Sequence, residues 1–411
     1  VIAVTAVQDP QVTGPDRRRL RDRVEAEAYV ASVCFKHGPP KLHGVELEWI
    51  VHHEEDPRRP LDARRLAAAL GPYAPRTLTP DSPQQALPSG SPLTVEPGGQ
   101  VEISALPQPS LAELFDAVHA DLAFLTELLA EAGLALGDKA VDPHRSPARI
   151  LDTPRYAAME HVFESIGPHG ITMMCCTAGL QVCLDAGEAD TVADRWAAVS
   201  VLGPVLVAAF ANSPTLGGSP TGWASARMRA VLGTDPARSL PSAIVEDPAA
   251  DWARRVLDTP VLCVRGEGAR WHTPVGLTFA DWVAGGLPTA PTTDDLDYHL
   301  STLFPPVRPH GYFEVRYLDA QPGSGWVTPT ALLAALLSDR STVDAVLDAC
   351  LPVGDRWLPA AREGLADQAI ATAASTVLEL GAAALPGMGL PSDLTTAIVA
   401  DLDRLFVRSK A

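Results

Sequence analysis

Apolar and acidic positions alternate one for one in Gly44-Val45-Glu46-Leu47-Glu48-Trp49-Ile50-Val51. That is the strand period. It predicts Glu46 and Glu48 on one face, with Val45, Leu47 and Trp49 on the other. A second stretch, Thr94-Val95-Glu96-Pro97-Gly98-Gly99-Gln100-Val101-Glu102-Ile103-Ser104, repeats the pattern. Gln100 and Glu102 share a face there, and Glu96 joins them if the Pro97-Gly98-Gly99 turn keeps register. Two later runs alternate in the same way. Gln181, Cys183 and Asp185 form one polar row, and Glu314 with Arg316 forms another, with Arg308 shortly before it.

Between these strands the spacing turns helical. Residues 15–34 predict an amphipathic helix, 61–71 a short one, and 110–136 a long one with Ser110 as N-cap. Another helix opens at Thr153-Pro154, with proline just inside its start. The run 171–185 reads as a strand, 186–211 as a long apolar helix, 246–257 and 277–285 as helices, and 260–264 as a strand. From Thr328 onward the chain reads as almost wholly helical. Residues 74–93, dense in Pro, Thr and Ser, form a long loop of the kind that often carries function. Separated strands with helices at both ends predict an α+β fold and not a βαβ rhythm. The expected organisation is a single catalytic domain over 1–411. Its sheet-bearing core lies at about 40–320 and its C-terminal helical part at about 326–411.

Composition narrows the function. The chain has 411 residues, 46% apolar and 20% charged, which suits a globular protein. A formal charge of −18 argues against a nucleic-acid or anionic-membrane surface. The longest apolar run, around 197–211, contains Ser200 and Pro204 and falls short of the ~20 residues of a membrane span. The opening residues 1–7 lack a basic segment of the signal-peptide kind. The six cysteines show no metal-ligand spacing and read as reduced core residues. Adjacent pairs such as His52-His53 and Cys175-Cys176 point apart on a strand and read as structural. The expectation is an acidic cytoplasmic protein.

A row of carboxylates on an apolar strand repels itself unless something positive neutralises it. A divalent cation accounts for Glu46, Glu48, Glu96 and Glu102, since Mg²⁺ takes oxygen ligands and binds through a few carboxylates plus substrate phosphates. Ordinary polar positions on a half-exposed sheet fit the Glu46/Glu48 pair as well, and the glycine step before Gln100 favours a site. Glu314 and Arg316 read either as a salt bridge or as a clamp for phosphate or carboxylate. The 181–185 row suits substrate binding or a core hydrogen-bond network. Phosphate-loop, dinucleotide, nucleophile-elbow and zincin motifs are absent.

These motifs, in order, resemble the plant- and bacterial-type glutamate–cysteine ligases, and most of all the actinobacterial branch that feeds ergothioneine synthesis. The resemblance rests on Gly44-Val45-Glu46-Leu47-Glu48, Glu96 through Ser104, Arg155-Tyr156 with Met159, and Met173-Met174. It continues through Gln181-Val182 with Asp185, Ala211-Asn212-Ser213-Pro214, and Phe304 through Arg308 to Glu314-Val315-Arg316. It implies a glutamine-synthetase-like carboxylate–amine ligase fold, a curved antiparallel sheet with outer helices. It also implies L-glutamate, L-cysteine, ATP as co-substrate and Mg²⁺. Carried over residue by residue, Glu46, Glu48, Glu96 and Glu102 would be metal ligands, and Gln100 and Glu314 would serve the cofactor. Gln181, Asp185 and Arg155 would bind substrate, and Arg316 and Arg308 would be catalytic. Family members commonly have Asn where Cys183 stands. Two alternatives stay open: a same-fold ligase using a different amine, and a non-catalytic nucleotide-binding regulator.

Overall fold

Six strands build the main sheet of the computed structural model, which describes residues 18–266 and 271–410. Among the described residues ten strands run in chain order: β1 (His43–Trp49), β2 (Val51–His53), β3 (Leu93–Val95), β4 (Val101–Ser104), β5 (Leu134–Leu136), β6 (Gly179–Leu184), β7 (Thr215–Leu216), β8 (Ser219–Pro220), β9 (Val307–Pro309) and β10 (Phe313–Asp319). The sheet order is β3-β4-β1-β6-β10-β9, antiparallel throughout, while β2 pairs with β5 and β7 with β8. With helices packed around it, this is the expected α+β arrangement.

Alternation decides which face meets the core. Val45, Leu47 and Trp49 of β1, Val101 and Ile103 of β4, Leu180 and Val182 of β6, and Phe313 and Val315 of β10 are all buried in one apolar cluster. The helix Val192–Ala209 covers that layer. Trp196 meets the Phe313 ring at 5.3 Å, and Tyr317 donates to the Val199 carbonyl at 3.2 Å. This helix is long and apolar enough to cross a membrane, but 89% of its window is buried inside the protein, which accounts for its composition. The same cluster runs from Leu20 to Leu402, so the C-terminal helices share a core with the sheet.

Several expectations shift. Residues 171–176 belong to the helix His169–Cys176, and β6 begins only at Gly179. A short apolar run does not distinguish the two by periodicity. Cys175 and Cys176 therefore sit on a helix. Residues 260–264 make only a bridge from Pro260 to Thr278, and 277–285 become short helical turns. The predicted 15–34 helix starts at Arg23, capped by Asp22, and its residues 15–17 lie outside the described ones, as does the 1–7 segment. The 110–136 helix stops at Ala130, and its tail becomes β5. The 74–93 loop, suggested by its length as a cover for a site, is pinned to the outer helix Leu111–Ala130. Asp121 of that helix accepts from the Ser89 amide at 2.6 Å.

The Pro97-Gly98-Gly99 turn joins β3 to β4 and keeps their register. Glu96 N–H donates to the Gln100 carbonyl at 2.8 Å, and Gly99 N–H to the Glu96 carbonyl at 2.8 Å. Gly99 has φ +89°, and a Cβ on Gly98 would lie 2.0 Å from the Cys175 carbonyl oxygen. The glycine pair thus serves a close backbone approach. Gly98→Ala is expected to cost roughly 1–3 kcal/mol by overpacking, read from urea denaturation. An unchanged midpoint would show that the turn does not depend on this contact.

Candidate active site

Strand pairing brings the polar rows into one floor. Glu48 faces Glu102 across β1 and β4, and Thr94 faces Glu102 from β3. Glu46 lies between Ser104 and Gln181, Cys183 faces Glu314, and Glu314 faces Arg308. Directly paired residues project to the same side, so the turn places Glu96 beside Thr94 and Glu102. A bulge between Val315 and Leu318 sets Arg316 opposite Gln181 while Tyr317 and Leu318 both stay in the core.

The floor divides into bonded and unbonded carboxylates. Arg308 holds Glu314 through two hydrogen bonds, 2.7 and 2.9 Å. Arg316 donates to Glu314 and to the Gln181 side-chain oxygen. The Gln181 amide then donates to Glu48 at 3.0 Å, and the other Glu48 oxygen accepts from Gly179 N–H at 2.6 Å. This is one chain of bonds from Arg308 to Gly179. Glu102 accepts from Thr94 at 2.9 Å and Ser104 at 2.8 Å, both on Oε1.

The electrostatics divide the carboxylates by their charged neighbours. Burial, with Glu102 and Glu314 nearby, pushes Glu46 well above the usual carboxylate range. Burial and the charges of Glu102 and Glu48 raise Glu96 to about 8. Burial and Glu48 raise Glu102 to about 7, against the opposing pull of its two hydroxyl partners. Glu314 goes the other way. Burial alone would raise it, but Arg308 and Arg316 bring it down to about 2. Three acidic groups are therefore short of positive charge and one is supplied with it.

That imbalance fits a hard cation, because the available donors are carboxylate oxygens that oppose one another. Among the described residues, no three His, Cys, Asp or Glu side chains already converge as a finished metal site.

Other expected residues lie elsewhere. Gln100 is spent on backbone: it accepts from Gly98 N–H at 3.0 Å and donates to the Thr177 carbonyl at 2.8 Å and the Met174 carbonyl at 3.2 Å. These bonds hold the turn that carries Glu96. Asp185 lies one residue beyond β6. One of its oxygens accepts from Lys41 and Leu42 N–H, each at 2.8 Å, so it ties down the loop before β1 where a substrate contact was expected. Arg155 is buried against the Tyr298 ring at 4.9 Å and donates to Ser301, while its Nε has no hydrogen-bond partner among the described residues. Its charge acts on Glu96, which puts it at the acidic end of the floor. Gln181 lies in the floor itself, bonded to Arg316 and Glu48.

Arg227 was not foreseen. It lies on the helix Ala226–Leu232 and donates to the Arg316 carbonyl at 2.9 Å, with a buried Nε that has no hydrogen-bond partner among the described residues. Burial lowers its pKa, against the opposing fields of Asp319 and Glu48. A Cβ on Gly179 would sit 2.3 Å from its guanidinium. The glycine at that strand end was the only local signal.

The family model described as glutamate–cysteine ligase family 2 (GCS2) matches residues 42–388, which contain the whole floor. The chain belongs to that family. Over 381 residues it is 38% identical to a glutamate–cysteine ligase, EgtA, of Mycobacterium tuberculosis, covering 90% of this chain and 86% of that one. It is 39% identical over 373 residues to the EgtA of Mycolicibacterium smegmatis, covering 88% and 84%. A chloroplastic glutamate–cysteine ligase of Brassica juncea is 31% identical over 294 residues, covering 69% of this chain and 56% of that one. The protein is thus an enzyme of the glutamate–cysteine ligase family, with its polar sheet face inside the matched region.

Raised carboxylates make stability depend on pH. Glu96 and Glu102 hold protons in the fold that they release near 4.5 when unfolded. Their contribution is complete below that value and is lost as pH rises through about 7 and 8. Without divalent cations, the thermal midpoint is expected to fall from pH 6 to pH 9. Glu96→Gln, neutral throughout, should flatten the slope. An equal slope in both proteins would contradict the assignment.

Proposed function

We propose that the protein joins the γ-carboxylate of L-glutamate to the amine of L-cysteine at the expense of ATP, with Mg²⁺, giving γ-glutamylcysteine for ergothioneine biosynthesis in the cytoplasm. The observation that carries this reading is the divided floor. At one end are carboxylates short of positive charge, at the other two guanidiniums on one carboxylate, and Gln181 bonds the two ends together.

A carboxylate does not acylate an amine at a useful rate until one oxygen becomes a leaving group. In the proposed route a γ-carboxylate oxygen of glutamate attacks the terminal phosphorus of ATP, and the bond to ADP breaks. The cysteine amine then attacks the acyl carbon, phosphate departs, and the amine loses a proton. Mg²⁺ would neutralise phosphate charge, and Glu46, Glu96 and Glu102 are the side chains best suited to hold it, with Glu48 beside them. Phosphoryl transfer asks the protein chiefly for positioning and charge compensation.

This chain's residues supply both. Arg316 faces the cleft with its guanidinium held by Glu314 and Gln181, and is suited to charge developing on the transferred phosphoryl group. Arg308 donates to both oxygens of Glu314 and keeps that carboxylate ionised. Arg155 and Arg227 each offer a buried guanidinium whose Nε has no hydrogen-bond partner among the described residues, near the acidic end and suited to substrate carboxylates. Gln100 and Asp185 support the surrounding backbone.

Arg316→Ala and Glu102→Gln are each expected to lower kcat/KM by at least about 100-fold in an assay of ADP release dependent on glutamate and cysteine. Near wild-type turnover in both would refute the charge-compensating role of Arg316 and the cation-binding role of Glu102. ¹⁸O in the glutamate γ-carboxylate is expected to appear in the released phosphate; its absence would exclude the acyl phosphate. A panel of amines in the same assay tests the acceptor. Faster turnover with another amine than with cysteine would overturn that part of the proposal.

A further inference from the structure

Thr94 and Ser104 approach Glu102 from two sides of the floor. Thr94 is its cross-strand partner on β3, and Ser104 is the next residue on the same face of β4. Both hydroxyls donate to the same oxygen, Oε1, at 2.9 and 2.8 Å. Ser104 is fully buried, and its hydroxyl has no other hydrogen-bond partner among the described residues. Oε2 receives no hydrogen bond from a described residue. Each hydroxyl contributes one donor, so both donors are used on one oxygen.

We propose that Thr94 and Ser104 are positioning residues that make Glu102 a one-oxygen ligand and thereby select Mg²⁺ over Ca²⁺. The inference rests on the proposed role of Glu102 as a cation ligand. The two ions differ in what they ask of a carboxylate. Ca²⁺ takes six to eight oxygens at flexible angles and accepts a carboxylate through both oxygens. Mg²⁺ is smaller, keeps near-octahedral geometry and several waters, and uses carboxylates sparingly. With both lone-pair sites of Oε1 taken by hydroxyls, a two-oxygen mode at Glu102 must displace at least one of them, in a place where an unpaired hydroxyl is costly. One-oxygen binding through Oε2 breaks neither. The clamp therefore penalises Ca²⁺ and leaves Mg²⁺ unaffected.

The clamp also explains a polar choice that strand propensity does not require. Thr94 faces the cleft from the edge strand, where valine would serve the sheet equally well. Ser104 lies in a fully buried position, where alanine would remove a polar atom from the interior.

The test is direct cation binding to the full chain by titration calorimetry, with Mg²⁺ and Ca²⁺ in separate experiments. It compares wild type, Thr94→Val/Ser104→Ala and Thr94→Ser. Near-ultraviolet circular dichroism confirms that each variant is folded. Wild type is expected to prefer Mg²⁺ over Ca²⁺, the double variant to lose at least fivefold of that preference through tighter Ca²⁺ binding, and Thr94→Ser to retain it. An unchanged ratio in the folded double variant would overturn the clamp while leaving the metal site standing. Should the double variant not fold, Thr94→Val alone against Thr94→Ser gives the same comparison. Equal ratios in that pair count against the proposal. A wild type that binds neither cation, or whose binding survives Glu102→Gln, would remove Glu102 as a ligand and the clamp with it.

Discussion

Repulsion among buried carboxylates is the constraint on which the rest of the site depends. Glu46, Glu48, Glu96, Glu102 and Glu314 lie on one side of one sheet. Taking charges out of water costs several kcal/mol each unless they are paired. The fold meets that cost in two ways. Glu314 is surrounded by Arg308 and Arg316 and stays ionised, whereas Glu46, Glu96 and Glu102 rise toward neutrality. A sheet assembled for stability alone would not concentrate acids in this way. Their concentration in an otherwise apolar framework is what the proposed cation site accounts for.

The framework that tolerates this is stiff where it matters. β1, β6 and β10 lie at the centre of the sheet, their other face filled by Val45, Leu47, Val182 and Phe313 against the Val192–Ala209 helix. Side chains on such strands have little freedom to relax away from one another. Gln181 exploits that rigidity. Its amide has an acceptor end for Arg316 and a donor end for Glu48, so a neutral residue links the cationic and anionic halves without adding charge. Gln100 and Asp185 do related work one step out, securing the Glu96 turn and the loop leading into β1.

Much of this was legible from alternation. A period of two assigns Glu46, Glu48, Glu102, Glu314 and Arg316 to faces without knowledge of which strands pair. The ordered motifs also pointed to the family before any pairing was known. Alternation failed where it carried no information. The 171–176 run is apolar but for Thr172, and its helix lies where Gly170 closely approaches Phe163 and Gly98 closely approaches Cys175. Asp185 and Gln100 were placed on the correct parity, but parity says nothing about whether a nearby backbone amide or carbonyl will capture a side chain.

By itself the sequence determined the strand segments that carry the polar rows, their polar faces, the α+β class and the resemblance to a ligase family, because all of these are written in local spacing and residue type. Tertiary structure decided which polar groups are free and which are committed. Arg227 enters the floor from a helix with no local motif, Gln181 becomes a bridge between two charged side chains, and Glu102 keeps one oxygen bare while two hydroxyls occupy the other. These outcomes depend on register between strands distant in the chain. Hydrogen-bond partners are chosen by distance in space, and a one-residue slip would turn every carboxylate in the row into the core.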